Sequence, residues 1–285
     1  MAGRSLLEGT TVYLSGPMDF VRDRRDEATN GWRARITSVL EKEFGVRVFD
    51  PWFKPLVRGR DRYGIEDADS TGDRDHWVFG DSEDAARIRS RLSGRFWEVM
   101  HIDLRMVDLS DFVIAYCPTN LYSVGTPHEI VLARQQHKPV LLVSPPVRFD
   151  AWHKLRAETS SNPRLKALFE AAEVEVVARE NPTGAPSQWY MTLVGSESFF
   201  DGFGWDDVRD RYEWPRNYLD DREQGEPGAA RPLLPFLKAA TTDNVPRRWD
   251  GRLGDRGAYR RNDDWLVLER TAEDAHDQQG RSPNP

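Results

Sequence analysis

Short strand-like runs alternate with longer helical segments between residues 10 and 178. The strand-like runs are residues 11–14, 46–49, 112–116, 140–143 and 174–178. Between the first two, Trp32, Ile36 and Leu40 recur at the spacing of one helix face, and Gly45 ends that helix. Further helices are predicted over residues 81–107, from residue 126 onward, and over residues 163–172. This alternation predicts a parallel sheet with helices on both faces.

The predicted fold class is therefore α/β, with a flavodoxin- or Rossmann-like sheet over residues 1–178. Residues 54–80 are charged, rich in glycine and aspartate and without periodicity, which predicts a long loop near the strand ends. Residues 179–272 carry too many aromatic side chains for a solvated tail. We expect them to form an irregular, aromatic-rich extension that packs on the core or on a neighbouring subunit, with a late strand over residues 264–269. Residues 273–285 are predicted to be a disordered tail.

The charge of the chain argues against two classes of partner. A net charge of −7 and a pI near 5.5 disfavour broad electrostatic binding to nucleic acid or to an anionic membrane. No apolar stretch approaches the roughly 20 residues of a membrane span, and the N-terminus lacks the apolar core of a signal peptide. The single cysteine, Cys117, fits a reducing compartment. We expect a soluble, cytoplasmic protein.

The sequence contains none of the common cofactor or metal motifs. Its six histidines show no metal-ligand spacing with cysteine or carboxylate residues. It has no Walker loop, no G-x-G-x-x-G fingerprint and no G-x-S-x-G elbow. We therefore predict that the protein uses neither a metal nor a cofactor.

Residues 123–129 (Ser-Val-Gly-Thr-Pro-His-Glu) lie between the strand predicted at residues 112–116 and a helical run. A turn that leaves a strand and opens a helix places Glu129 at the carboxyl edge of the sheet, where α/β folds bind ligands. In the first helical turn, backbone N–H groups and the helix dipole would favour the ionised form of Glu129. The same residues also match a capping box, with Thr126 at the N-cap, Pro127 at N1 and Glu129 at N3. The two interpretations are compatible, and both stay open at this point.

Five short motifs follow one another in a fixed order along residues 10–143, about half of the chain. They are residues 12–17 (Val-Tyr-Leu-Ser-Gly-Pro), Asp103-Leu104, Ser110-Asp111, Gly125-x3-Glu129 and Lys138-Pro139-Val140. Their order and spacing resemble those of the nucleoside 2-deoxyribosyltransferase family. The resemblance implies a flavodoxin-like catalytic domain that cleaves the N-glycosidic bond of nucleosides or of their 5′-monophosphates, in a homo-oligomer.

The resemblance also implies roles for individual residues. Glu129 would be the nucleophile, Asp103 would assist at the base or its leaving nitrogen, and Tyr13 would hold the nucleophile in place. The implied substrate-binding residues are Ser15, Gly16, Ser123 and Gly125. Glycosidic cleavage builds positive charge on the sugar, which a carboxylate can stabilise or capture, while a second carboxyl group with a raised pKa can protonate the base. Without the resemblance, Asp103 would be interpreted as a surface carboxylate and Tyr13 as a buried strand residue.

Ser123 departs from one branch of that family. Members that act on unphosphorylated nucleosides usually carry aspartate six residues before the nucleophile, whereas a serine there resembles the monophosphate branch. A hydroxyl can donate to a phosphate that an aspartate would repel. Against the monophosphate branch, Pro17 and Asp19 occupy the stretch where that branch usually has serine and arginine. Arginines 22, 24 or 25 are candidate replacements for the missing phosphate ligand.

The sequence thus predicts an enzyme with covalent catalysis through Glu129, acting on a small-molecule nucleoside or nucleotide. Water or a second base would resolve the glycosyl-enzyme. The alternative is a nucleotide-sensing module that keeps the pocket without turnover. Retention of both Glu129 and Asp103 favours the enzyme, because a sensor has no need of a nucleophile. The identity of the base and of the sugar stays open.

Overall fold

The five strands of the described residues form one parallel sheet in a computed structural model. The described residues are 7–19, 21, 23–65, 76–147, 149–175, 181, 184, 187–194, 198–205 and 231–240. The strands are β1 (Thr11–Ser15), β2 (Arg47–Phe49), β3 (Phe112–Tyr116), β4 (Val140–Val143) and β5 (Phe199–Phe200). Their order is β2-β1-β3-β4-β5, and every neighbouring pair is parallel.

Eight α-helices of the described residues surround this sheet. They are α1 (Arg24–Asn30), α2 (Trp32–Phe44), α3 (Glu83–Leu109), α4 (Gly125–Gln135), α5 (Asp150–Thr159), α6 (Pro163–Glu175), α7 (Gln188–Val194) and α8 (Leu233–Ala240). None of the described helices is both long and apolar enough to cross a membrane.

The two faces of the sheet are covered by different helices, because successive strand side chains point to opposite sides. Leu14 of β1 faces the cluster that contains Ile36 of α2 and Leu237 of α8. Tyr13, one residue earlier, faces the opposite cluster, to which α3, α4 and α7 contribute. The predicted α/β fold with helices on both faces is therefore confirmed.

The strand order creates a crevice beside β1. The chain leaves β1 toward β2 on one side, whereas it leaves β3 toward β4 on the other side. Connections that diverge in this way open a gap beyond the carboxyl ends of the two central strands, which is where open α/β sheets bind ligands. The order 2-1-3-4-5 is the flavodoxin-like one, with its switch point between β1 and β3.

The predicted strand over residues 174–178 is wrong where the structure describes it. Residues 174 and 175 end α6, and residues 176–178 lie outside the described part. The run of β-branched valines predicted a strand, but the helix that begins at Pro163 continues to Glu175, because local propensity yields to context. The short polar helix α1 was not predicted, since it has no apolar periodicity.

The described residues beyond residue 178 belong to the same core as the sheet. β5 pairs with β4, and Phe203 and Leu233 lie in the cluster that covers one face. Trp205 packs against that cluster. The sheet therefore includes residues on both sides of the predicted boundary at residue 178. The predicted late strand over residues 264–269 and the predicted disordered tail over residues 273–285 lie outside the described residues.

Candidate active site

Glu129 lies one residue beyond the first turn of α4 and is buried, with 8% of its surface exposed. The capping-box interpretation is wrong, because Val124 is the N-cap and Thr126 is already inside the helix. The Thr126 hydroxyl shares a hydrogen bond of 2.8 Å with the Ser123 hydroxyl. Pro127 is the third helical residue, a position whose missing N–H also costs no helical hydrogen bond. The Glu129 carboxylate is thus not used to cap its own helix.

Two side chains of β1 hold the Glu129 carboxylate. The Tyr13 hydroxyl donates to Oε1 at 2.7 Å, and the Ser15 hydroxyl donates a short hydrogen bond to Oε2. Tyr13 and Ser15 are two residues apart, so their side chains lie on the same face of the strand. Each carboxylate oxygen therefore has its own donor, and the carboxylate is fixed in orientation.

Burial raises the pKa of Glu129 above its ordinary value. The hydrogen bonds from Ser15 and Tyr13 oppose this rise, as do the positive charges of Arg33 and Lys54. The sequence-based expectation that the helix start would favour the ionised form is therefore wrong, since Glu129 lies past the first turn and desolvation dominates. Burial, followed by the charges of Glu129 and Asp103, also raises the pKa of Tyr13, which keeps this phenol protonated as a donor.

Arg33 supports the turn that carries Ser15. Its guanidinium donates to the carbonyl oxygens of Leu14 at 3.1 Å, Gly16 at 2.7 Å and Pro17 at 3.3 Å. It is fully buried and lies 4.7 Å from the centre of the Trp32 ring. Sequence reasoning missed this residue, because nothing in the pattern of α2 distinguishes a buried arginine from a surface one.

Gly16 is required by the close packing of this same turn. A Cβ atom at this position would lie 2.8 Å from the Trp32 ring and 3.2 Å from the Tyr116 carbonyl oxygen. Both distances are shorter than an ordinary van der Waals contact, so any larger residue would push the turn outward. The turn after β1 is thus held by arginine from one side and by ring packing from the other.

Asp103 projects from α3 and is paired with Lys54. The Lys54 ammonium lies 2.9 Å from each carboxylate oxygen and donates to the Val99 carbonyl at 3.4 Å. An adjacent ammonium stabilises the ionised form of a carboxyl group. This pairing disfavours the proton-donor role that the resemblance implied for Asp103. Lys54 was not predicted as a site residue.

Asp103 and Glu129 both line a cavity of about 660 Å³ at the crevice beside β1. Its volume lies within the range of small-molecule sites, roughly 300–1,000 Å³. The walls come from the turn after β1, from α3 and from the start of α4. The lining residues are Gly16, Met18, Asp19, Phe96, Val99, Met100, Asp103, Leu104, Tyr122, Ser123, Val124, Gly125, Thr126, Pro127, His128, Glu129, Val131, Leu132 and Gln135.

The structure places the predicted site residues in two groups. Gly16, Ser123 and Gly125 line the cavity, as do Asp103 and Glu129. Ser15 and Tyr13 are buried behind Glu129 and contact the carboxylate.

One wall of the cavity is formed by apolar side chains of α3. Phe96 and Met100 line the cavity and Phe96 is exposed, whereas Leu92 of the same helix is buried. Phe96 and Tyr122 are the aromatic rings of this lining and could stack on a flat ligand.

The charges that line the cavity are mainly negative. Asp19, Asp103 and Glu129 contribute carboxylates, whereas the described lining includes neither lysine nor arginine. The candidate phosphate ligand Arg24 is buried, bonds to Asp19 at 3.3 Å and lies over Trp52. Arg25 is exposed and is not part of the described lining, and Arg22 lies outside the described residues.

Two further chemistries find no support in the described part of the chain. No group of three or more histidine, cysteine, aspartate or glutamate residues there could hold a metal ion. Burial, followed by the charge of Glu129, raises the pKa of the Cys117 thiol. A thiol in this environment is a poor nucleophile, because the thiolate is the reactive form.

The Tyr13→Phe variant should raise the pKa of Glu129 further, because it removes a hydrogen bond that stabilises the carboxylate. A hydrogen bond to a charged group contributes about 1.5–3 kcal/mol, which corresponds to roughly one to two pH units. Carboxyl-carbon NMR titration of Glu129 measures this change, with Tyr190→Phe on α7 as the control. An unchanged Glu129 titration in Tyr13→Phe would contradict the contact.

Neither a comparison with protein-family models nor one with curated proteins finds a match for this chain.

Proposed function

We propose that this protein cleaves the N-glycosidic bond of a nucleoside by covalent catalysis through Glu129. The observation that carries the proposal is a buried carboxylate, fixed by Tyr13 and Ser15, at the wall of a cavity of nucleoside size. Its place beside the β1–β3 switch point is where ligands of open α/β sheets bind. The motif resemblance over residues 10–143 points to the same chemistry.

The proposed reaction has two steps. A Glu129 oxygen bonds to C1′ of the sugar as the C1′–N bond breaks, and the electron pair of that bond moves to the base nitrogen, which takes up a proton from water. Water or the N–H nitrogen of a second base then attacks C1′ as the bond from C1′ to Glu129 breaks, giving hydrolysis or base exchange respectively. The proton that the attacking group loses neutralises the hydroxide left by the first step. Asp103, paired with Lys54, accepts a hydrogen bond from the base in this scheme.

The charges of the cavity favour an unphosphorylated substrate. The described lining has three carboxylates and neither lysine nor arginine, so it offers a phosphate dianion no cationic ligand. The Ser123 hydroxyl, which suggested phosphate binding, is already paired with Thr126 at the start of α4. We therefore propose a neutral nucleoside as the substrate, with its base between the rings of Phe96 and Tyr122.

Incubation with matched nucleosides and 5′-monophosphates tests the proposal directly. Chromatography should detect free base from at least one nucleoside, and the addition of a second base should reveal any exchange product. The alternative function, a sensing module, predicts that nucleosides bind and raise the melting temperature while no base is released. Absence of both binding and release would refute the two functions together.

The Ser123→Ala variant should leave the ratio of kcat/KM for nucleoside and monophosphate unchanged, because Ser123 shapes the turn before α4. Ser160→Ala, at the exposed end of α5, is the control for a lost hydroxyl. If Ser123→Ala weakened the monophosphate alone by roughly tenfold or more, the loss expected for a hydrogen bond to a charged group, then Ser123 would be a phosphate ligand.

A further inference from the structure

Lys54 is a buried lysine at the carboxyl edge of the sheet. A short 3₁₀ turn (Pro51–Phe53) follows β2, and Lys54 comes directly after it. The side chain of Lys54 is 3% exposed, and its ammonium lies between the Asp103 carboxylate and the Val99 carbonyl of α3. A buried charge is retained only where partners compensate its lost hydration, so this ammonium is tied to α3.

We propose that Lys54 is a positioning residue for Asp103 and Glu129, two of the three carboxylates that line the cavity. The ion pair at 2.9 Å fixes Asp103 on the wall of the cavity, and the same positive charge helps Glu129 to face the ligand as a carboxylate. The described lining of the cavity does not include Lys54, so it acts through these two residues. This inference rests on the proposed function.

The consequence for Asp103 concerns ligand choice. A carboxylate held ionised by an ammonium accepts hydrogen bonds and donates none. It therefore selects bases that present an N–H or amino group toward α3, and it disfavours bases that present only acceptors there. Without Lys54, Asp103 would lose both its orientation and this acceptor character.

The consequence for Glu129 concerns the pH range of activity. Among the described residues, the titratable and charged groups that interact with Glu129 are Tyr13 of β1, Arg33 of α2, Lys54 and Cys117 after β3. Three further groups, Asp19, Asp103 and His128, line the same cavity. Arg33 and Lys54 lower the pKa of Glu129 against the rise that burial causes. Loss of Lys54 raises this pKa further. The carboxylate is protonated, and cannot act as a nucleophile, as the pH falls through its pKa. The acid limb of the pH–activity profile, where activity is lost as the pH falls, therefore moves to higher pH.

Lys54→Met tests the inference, because it keeps the apolar stem and removes the charge. We expect kcat/KM for base release to fall by about tenfold to a hundredfold, the loss typical of a contact to a charged group. The acid limb should move to higher pH in Lys54→Met and stay near that of wild type in Lys54→Arg. Lys54→Gln is a second neutral variant in case the methionine variant does not fold.

A double-mutant cycle with Asp103→Asn separates positioning from stability. Adding Lys54→Met to Asp103→Asn should cost much less activity than adding it to wild type, because the two residues act as a pair. Lys166→Met, which removes an exposed lysine paired with Glu170 on α6, is the control. Additive losses with an unchanged pH profile, even with a lower melting temperature, would overturn the inference.

A measurement without turnover separates failure of this inference from failure of the proposed function. Carboxyl-carbon NMR follows Glu129 in wild type and in Lys54→Met in the absence of a substrate. A wild-type protein that releases no base from any nucleoside refutes the proposed function, while a raised Glu129 pKa in Lys54→Met still supports the role of Lys54. An identical Glu129 titration in the two proteins overturns that role.

Discussion

Glu129→Gln should abolish base release while the protein keeps or gains thermal stability. Loss of a catalytic nucleophile typically lowers the rate by several powers of ten, so we expect a decrease of roughly 10³- to 10⁶-fold in kcat/KM. Glutamine preserves the volume of the side chain, but it lacks the negative charge that attacks C1′. Single-turnover assays should also show that no glycosyl-enzyme accumulates.

The stability half of this prediction follows from the direction of the Glu129 pKa. A carboxyl group whose pKa is raised in the folded state stabilises the fold when protonated, and this contribution is lost as the pH rises through that pKa. Above that pKa, the variant therefore removes a buried charge that opposes folding. Glu170→Gln on the exposed face of α6 is the control. Turnover near that of wild type in Glu129→Gln would contradict covalent catalysis.

Arg33→Met should be the most destabilising of the substitutions considered. It removes three hydrogen bonds to the carbonyls of Leu14, Gly16 and Pro17, and it removes the ion pair with Glu27 at 3.9 Å. Breaking a buried charged network by removing one partner costs about 3–5 kcal/mol. For a domain of this size that corresponds to a decrease in melting temperature of roughly 6–20 °C.

Calorimetry of Arg33→Met, Arg33→Lys and Arg91→Met measures how much the Arg33 hydrogen bonds contribute to the melting temperature. Arg91 is exposed on α3, so Arg91→Met should melt close to wild type. Arg33→Lys keeps the charge, but lysine has no planar group that could reach all three carbonyls. Its melting temperature should therefore lie between those of the two other variants. Equal melting temperatures for Arg33→Met and Arg91→Met would show that the Arg33 hydrogen bonds contribute nothing to stability.

The features of this site that could be predicted from sequence are those with local signals. The apolar runs fix the four longer strands, and a glycine-bearing turn after β3 places Glu129 at the sheet edge. Tyr13 and Ser15 were singled out through the motif on β1. Their observed hydrogen bonds to Glu129 join residues more than a hundred positions apart, and only the strand order brings them together.

The burial of Arg33 and Lys54 could not be predicted, because burial of a charge depends on distant parts of the chain. Arg33 is buried by the turn after β1, and Lys54 is buried by α3. The direction of the Glu129 pKa could not be predicted for the same reason. A helix start favours the ionised form, whereas the burial created by distant elements raises the pKa of Glu129.

The wall formed by Phe96 and Met100 has a consequence for how such a protein can diversify. Both residues project from α3, whereas Glu129 accepts a hydrogen bond from Tyr13 of β1, so the proposed nucleophile and the shape of the cavity are held by separate elements. Substitutions on the exposed turns of α3 can change the shape of the cavity without disturbing the hydrogen bonds from β1 to Glu129. In the proposed enzyme, substrate selectivity can therefore be engineered separately from the reaction.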